Sequence, residues 1–482
     1  MKFKKRILIV CLLILFASIM CVSAGNNDNV PINSDEPQQA LDSSQDYALG
    51  ETANGTFTEL QRMINNAGYG STITLDKDYV YDEGFNVRGI EIDNDITIDG
   101  NGHTLNGLSQ SRILLNKFSL FKNQVTLKNI KFTNGNTDLY GGAIFNYGNM
   151  TLINCEFTNN YAKYAGGAIA SIGHLSCNGS KFTGNTANGD GGAIFCLSIK
   201  SVIDIEKLLN GRTLDGNIDF ITDLSSAISI KFAKETISNC IFTNNVAKGR
   251  GGGAVYAFGN IDIKSCTFNS NNAGEKGGAV FGNKDLFITN SRFTNNQASK
   301  YGGAVYFRGH QSSGHYENGT WVSEVVYFTN LIQNSIFTQN SASKGGAIYG
   351  FKSSATDSHG AKAVKCTFTS NTAPTGRDIY GGTASNCIFN YWKMILKTIS
   401  VKKSAKGIVL AAKLAKGKTL IKNKIIAFKF NGKVYKAKTD KTGLAKVLVK
   451  SGMFKNLKVG KTVIYQAQFG KLIVKKAAKV TK

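Results

Sequence analysis

The chain has 482 residues and a formal net charge of +25 at pH 7, with 52 glycines and only three prolines. The charge is not spread: 25 lysines and one aspartate lie between Lys393 and Lys482, so that stretch carries +24 and everything before it is close to neutral. The basic balance is therefore a property of one C-terminal segment, and past the N-terminal leader no apolar run is long enough to cross a membrane as a helix.

Met1 to Ala24 reads as a signal peptide. Lys2, Lys4, Lys5 and Arg6 form its charged start, Ile7 to Met20 its apolar run, and Val22-Ser23-Ala24 a small-x-small cleavage site. Residues 25–50 are polar and read as a spacer. Thr56 and Glu59 have the spacing of a capping box, and Phe57, Leu60, Ile64 and Ala67 fall on one helical face. A short amphipathic helix here covers the end of whatever follows. Then Ile96-Thr-Ile-Asp-Gly-Asn-Gly-His103 opens a repeat.

The repeat is the dominant signal. Phe132, Phe157 and Phe182 recur at one interval, followed by Phe242, Phe268, Phe293, Phe337 and Phe368, with Phe389 closing the series. Three residues after Phe stands Asn160, Asn185, Asn245, Asn271, Asn296, Asn340 or Asn371. A Gly-Gly step then begins at Gly141, Gly166, Gly191, Gly252, Gly277, Gly302 and Gly345. Period-two alternation, as in Ile261-Asp262-Ile263 and Cys266-Thr267-Phe268, makes each piece a strand with one buried face. Three short strands per copy, closed and stacked, predict a parallel β-helix, expected to be right-handed, because one coil cannot bury its apolar face alone. Stacking puts Phe on Phe and lets the asparagines bond one another as an amide ladder. The scarcity of proline agrees, since every N–H is needed.

Two copies are interrupted. Gly191 and Gly252 are 61 residues apart, with extra chain near 196–237. Gly302 and Gly345 are 43 apart, with extra chain near 310–327. Solenoid insertions are surface loops and often carry binding. The second contains His315, Tyr316, Trp321 and Tyr327, the candidate binding residues, set against the alternative of neutral decoration.

The β-helix is expected to fill 51–392. From 393 to 482 the lysines alternate with apolar residues, and Asn431-Gly432 between two such runs is a hairpin signal. About 85 residues of short strands suggest an immunoglobulin-like β-sandwich. Lysines on a sheet face, outside a cell, point to an anionic wall polymer, a glycan or a membrane surface rather than to nucleic acid.

Catalytic chemistry was sought in carboxylates. Asp93, Asp95 and Asp99 cluster near Asn101 and His103, where turn and cap roles are the stronger reading. Asp204, Glu206, Asp215, Asp219 and Asp223 are scattered through the first insertion. His310 with His315 is a weak metal pair. Cys155, Cys240, Cys266, Cys366 and Cys387 share one slot, two before Phe, with Ser180, Ser291 and Ser335, so they read as small buried thiols; Cys240 and Cys266 are the stacked pair in which a disulfide is worth testing. Asn54, Asn149, Asn178 and Asn318 begin glycan-acceptor sequons. No catalytic residue, cofactor or metal site is assigned.

Gly141 to Ile144, Gly166 to Ile169, Gly277 to Val280 and Gly345 to Ile348, paired with Phe157 to Asn160 and Phe293 to Asn296, resemble the repeats of chlamydial polymorphic outer-membrane proteins, which are surface adhesins. The layout as a whole resembles the adhesin-like proteins of methanogenic archaea. It runs from the leader and capping helix through Asn-Cys-x-Phe-Thr-Asn-Asn coils to the stretch Lys429-Phe-Asn-Gly-Lys-Val-Tyr-Lys-Ala-Lys438. The resemblance covers about residues 50 to 482 and implies a secreted, cell-surface β-helix with an immunoglobulin-like module and no transferred catalytic residue. The chlamydial outer-membrane barrel has no counterpart here. The expectation is a non-enzymatic adhesin that binds glycan or another cell surface. A β-helix polysaccharide lyase or glycoside hydrolase is the alternative, and a structural wall component is the third reading.

Overall fold

Stacked coils need the inward residues of the repeat to meet like residues in the next turn, and from Phe132 onward Phe meets Phe and from Asn160 onward Asn meets Asn. The computed structural model describes residues 54–117, 123–198, 234–317, 320–351, 360–470 and 472–482. The leader 1–24, the spacer 25–50, the five acidic residues of the first insertion and Asn318 lie outside the described residues.

A parallel β-helix follows the N-terminal cap. Among the described residues, four sheets of 12, 11, 10 and 6 strands run along it. One coil illustrates all four. Asn149–Ile153 pairs with Leu175–Asn178, Glu156–Thr158 with Lys181–Thr183, Tyr161–Ala162 with Thr186–Ala187, and Ile169–Ser171 with Ile194–Cys196, all in parallel. The expectation of three strands per coil is corrected to three plus a two-residue fourth, placed where the ladder asparagine hands the chain to the Gly-Gly step. That piece was hidden because two residues carry no alternation.

Phe157 stands opposite both Phe132 and Phe182, with ring centroids 4.8 and 4.7 Å away and planes 7° and 2° apart. The stack continues unbroken to Phe389. The turns on either side of each Phe need left-handed backbone, supplied by Asn154 (φ 53°) and Asn159 (φ 55°) and their equivalents. The two glycines of the Gly-Gly step serve different needs. Gly277 has φ 61°, whereas a Cβ on Gly278 would lie 2.1 Å from the Gly303 carbonyl oxygen of the next coil.

The amide ladder runs Asn160, Asn185, Asn245, Asn271, Asn296, Asn340, Asn371. Each Nδ2 donates to the next Oδ1 at 2.9 Å. It ends where Asn371 Nδ2 donates to Asp378 Oδ1 at 3.0 Å. Asp378 takes the slot that Ala347 holds one coil earlier, and burial raises its carboxyl pKa. The cysteine slot is buried throughout the stack apart from half-buried Cys387, with Ser180 and Ser291 hydroxyls accepting from the Cys155 and Cys266 N–H groups. All seven described cysteines are free; Cys177 and Cys240 bring their sulfurs to 3.6 Å.

The N-terminal end of the stack is closed by helix Phe57–Asn66. Thr56 and Glu59 form the reciprocal capping box, and Phe57, Leu60 and Ile64 are buried in the same core as the coils. At the other end, Trp392–Leu396, Gly407–Lys416, Thr419–Leu420 and Leu444–Lys450 form one sheet, and Val401–Lys402, Leu472–Thr481, Thr462–Phe469, Ile425–Phe430 and Lys433–Lys438 another. Leu410, Leu414 and Val449 of the first meet Phe428, Tyr465 and Val480 of the second in one separate core, so this segment is a β-sandwich. Asn431 (φ 43°) and Gly432 (φ 79°) make its predicted hairpin turn.

Candidate functional site

Each coil passes from its Gly-Gly-Ala strand to the first strand of the next coil through a corner. Usually this takes a few residues, as between Ile144–Asn146 and Asn149–Ile153 or between Val280–Gly282 and Leu286–Thr289. Both predicted insertions leave from this corner. Residues 199–233, outside the described residues, join Ile194–Cys196 to Lys234–Ser238. The hairpin of His310–Glu317 and Thr320–Tyr327 lies between Val305–Arg308 and Asn330–Gln333. Residues 118–122 and 352–359, also outside the described residues, connect the corresponding strands in two further coils, Leu114–Asn116 to Gln124–Lys128 and Ile348–Phe351 to Ala361–Val364. The first insertion is shorter than 196–237: Cys196 pairs with Ala257 and Ile237 with Ile263, because both fill inward slots of the stack.

Of the candidate binding residues, Tyr316 stands opposite Trp321, and His315 opposite Val322, in the hairpin backbone. Tyr327 is at the hairpin base, 46% exposed, its ring 6.1 Å from that of His310. His310 itself stacks on Phe351 at 5.3 Å. The base of the hairpin is thus aromatic.

An aromatic row that the sequence reading missed leads to this corner. Phe195, Tyr256, Phe281, Tyr306, Tyr349 and Tyr380 stack with centroids 4.4 to 5.3 Å apart, outside the coil core. Cations lie over it: Lys276 sits 5.7 Å from the Tyr306 ring and Lys344 5.7 Å from Tyr380. Burial pushes the Tyr256 and Tyr306 hydroxyls well above the usual tyrosine range. The available signal was an aromatic residue directly after the Ile or Val of the Gly-Gly-Ala step in coil after coil.

Of the carboxylates predicted in the first coils, Asp93 is exposed, and the other two have local tasks. Asp95 accepts from the Gln124 N–H at 2.7 Å. Asp99 accepts from Asn129 Nδ2 at 3.0 Å and the Asn101 N–H at 3.1 Å, pairs with Lys128, and titrates below its ordinary value chiefly through the Asn129 bond. His103 lies 3.1 Å from Asp78, not from the predicted cluster. Among the described residues, no three His, Cys, Asp or Glu side chains are grouped to hold a metal ion. One acidic residue was overlooked. Glu235 is fully buried in an inward slot beside Cys196, accepts from the Leu175 N–H at 2.5 Å, and is pushed up to about 8 by burial.

Comparison with known proteins identifies the coils. Residues 154–172, 179–197, 239–257, 290–308 and 334–350 match the family model of the Chlamydia polymorphic membrane protein repeat. The chain is thus a parallel β-helix carrying repeats of that type. No curated protein matches the sequence. Among solved structures, ORF18 of Geobacillus virus E2 is similar at 11% identity and a TM-score of 0.34, over 82% of this chain and 72% of that chain. A PL6 alginate lyase in complex with a trisaccharide is similar at 12% identity and a TM-score of 0.25, over 69% of this chain and 82% of that chain.

Proposed function

We propose that this protein is a secreted, surface-displayed, non-catalytic adhesin whose β-helix presents the corner excursions to a glycan or to another cell surface. The observation that carries this reading is that the 310–327 hairpin leaves the coils at a corner beside an outer aromatic row, between the same two strands of the coil that residues 199–233 connect earlier in the stack. A solenoid that needed only to be long would have no reason to confine its extra chain to one edge. The match to a repeat of membrane proteins supports a surface location. In the sandwich, Trp392–Leu396 pairs with the second strand of one sheet while Val401–Lys402 pairs in parallel with the final strand of the other. That split first strand supports an immunoglobulin-like module. Its lysines suit an anionic wall polymer.

The test is a glycan panel read for both retention and product release, run on the full chain and on a variant lacking the hairpin. The Phe328 N–H already donates to the Gly309 carbonyl at 2.9 Å, so a two-residue link between them leaves the coils intact. Retention without product, lost in the trimmed variant, is expected. Released oligosaccharide overturns the non-catalytic reading in favour of a lyase or hydrolase. Neither retention nor product leaves a structural wall component.

A further inference from the structure

We infer that a second glycan site, selective for acidic sugars, lies on a different edge of the coil stack. It is a groove across the last three full coils, with Arg377 as its anionic subsite. The inference deepens the glycan-binding reading above and rests on it.

The groove follows from a change in side-chain size at two outward positions. One coil position runs Tyr161, Thr186, Val246, Asn272, Gln297, Ser341, Thr372 in register. Two residues further on the series reads Lys163, Asn188, Lys248, Gly274, Ser299, Ser343, Pro374. The early coils carry bulk here, and Asn188 Nδ2 donates to the Tyr161 hydroxyl at 2.7 Å across the gap between them. The last three carry amide, hydroxyls and one proline. The space they vacate is an open groove of about 500 Å³, lined by Gln297, Ser299, Ser341, Ser343, Thr372 and Arg377, with no carboxylate in its lining.

The chemistry is that of a sugar site. Ser343 donates to the Ser299 carbonyl at 2.7 Å, and Ser299 donates to the Gly274 carbonyl, so both hydroxyl oxygens are oriented with lone pairs to accept from a ligand. The Gln297 amide and the Ser341 and Thr372 hydroxyls make no side-chain hydrogen bond among the described residues; Gln297 and Thr372 are exposed and Ser341 is half-buried. The volume falls within the range of small-ligand clefts.

Arg377 supplies the charge. It occupies the position of the second glycine of the Gly-Gly step. In the preceding coil that glycine is Gly346, where a Cβ would lie 2.2 Å from the Arg377 carbonyl. Side chains are barred from this slot wherever another coil stacks on it, and Arg377 is on the coil where that stacking ends. Its guanidinium lies 5.0 Å from the Tyr391 ring centroid and has no ion pair among the described residues. A planar cation held on an aromatic face, in a lining of hydroxyl side chains, matches a carboxylate carried on a sugar ring.

The test uses the full chain, titrated at 0.15 M NaCl with tetragalacturonate and with its carboxyl-reduced, neutral counterpart. Arg377→Gln removes the charge. Ser341→Tyr refills the groove with the residue the second coil tolerates at the same register, and Thr372→Lys is a second filling variant should the first fail to fold. The Lys-rich sandwich binds a polyanion equally in all of them, so the groove is read as the variant-sensitive component. We expect saturable binding that falls at least tenfold in Arg377→Gln and in the filled variant, and that is at least tenfold weaker for the neutral sugar. Equal affinity for the neutral sugar overturns the acidic class. Tetragalacturonate binding unchanged by the substitutions overturns the groove, and if glycan-panel retention persists, the adhesin reading survives it. No retention on any glycan sinks both.

Discussion

Asn271 carries four hydrogen bonds on one amide. Nδ2 donates to Asn296 Oδ1 at 2.9 Å and to the Phe242 carbonyl at 3.0 Å, while Oδ1 accepts from the Asn245 N–H at 3.0 Å and from Asn245 Nδ2 at 2.9 Å. It has no contact with water. Asn271→Ala therefore strands donors on Asn245 and an acceptor on Asn296 in a dry interior, and is expected to cost about 3 kcal/mol. Thr267→Ala, half-exposed on the same coil, should lie within about 0.5 kcal/mol of the parent. Urea unfolding of the two variants checks this: equal midpoints would mean the ladder is ornamental. Glu235 acts in the opposite sense. Its carboxyl titrates near 4.5 in the unfolded chain and about 8 when folded. Between those values the folded state keeps a proton that the unfolded state has lost. Its contribution is thus fully present below pH 4.5 and drains away as pH rises to about 8. Glu235→Gln should flatten that part of the profile, raising the urea midpoint at pH 8 more than at pH 5. A profile identical to the parent's would show that Glu235 is not the titrating group.

At the level of elements, what could be read from the sequence was whatever a single residue type enforces. Phe opposite Phe, Asn opposite Asn, and Gly where Gly278 meets Gly303 each leave one permitted residue, so the coil and its ladders were legible. The capping helix was legible for a similar reason, since Thr56 and Glu59 need each other at that spacing. What escaped depended on neighbours that no local pattern contains. Phe281 follows Val280, so strict alternation would leave it on the outer face in water, yet it stacks between Tyr256 and Tyr306 and is 6% exposed. A strand covered on both faces reads as a continuous apolar run, not as alternation. The corner shared by the excursions was invisible until the strands on either side were paired. The groove of the last coils was equally silent, because Ser341 and Ser343 are unremarkable residues. Only their register with Tyr161 and Lys163 turns small side chains into space.

On the scale of the whole molecule, the chain is electrostatically divided. The coil region is nearly neutral and the sandwich holds +24 of the +25. In the sandwich the strand Ile425–Phe430 buries Ile426, Phe428 and Phe430 and exposes Lys429, and Lys433–Lys438 and Leu472–Thr481 expose Lys436, Lys438, Lys475 and Lys479. Exposed Ile425, Val434, Ile464 and Ile473 stand among them, at 49% to 60%. Such a face can hold a partner by charge or by apolar contact, and salt separates the two. Exposed charges are screened over about 8 Å at 0.15 M salt and about 3 Å at 1 M, whereas apolar contact is not weakened by added sodium chloride. If the lysines hold an anionic wall polymer, the full chain should be retained on polyphosphate beads at 0.05 M NaCl, lose affinity steeply through 0.15 M, and elute well below 1 M. Retention that survives 1 M salt would transfer the role to the aliphatic side chains. The hairpin-trimmed variant should elute with the parent in this assay, because the two attachments are on separate folded cores. Co-loss of both would mean that the corner, not the sandwich, carries the anion contact.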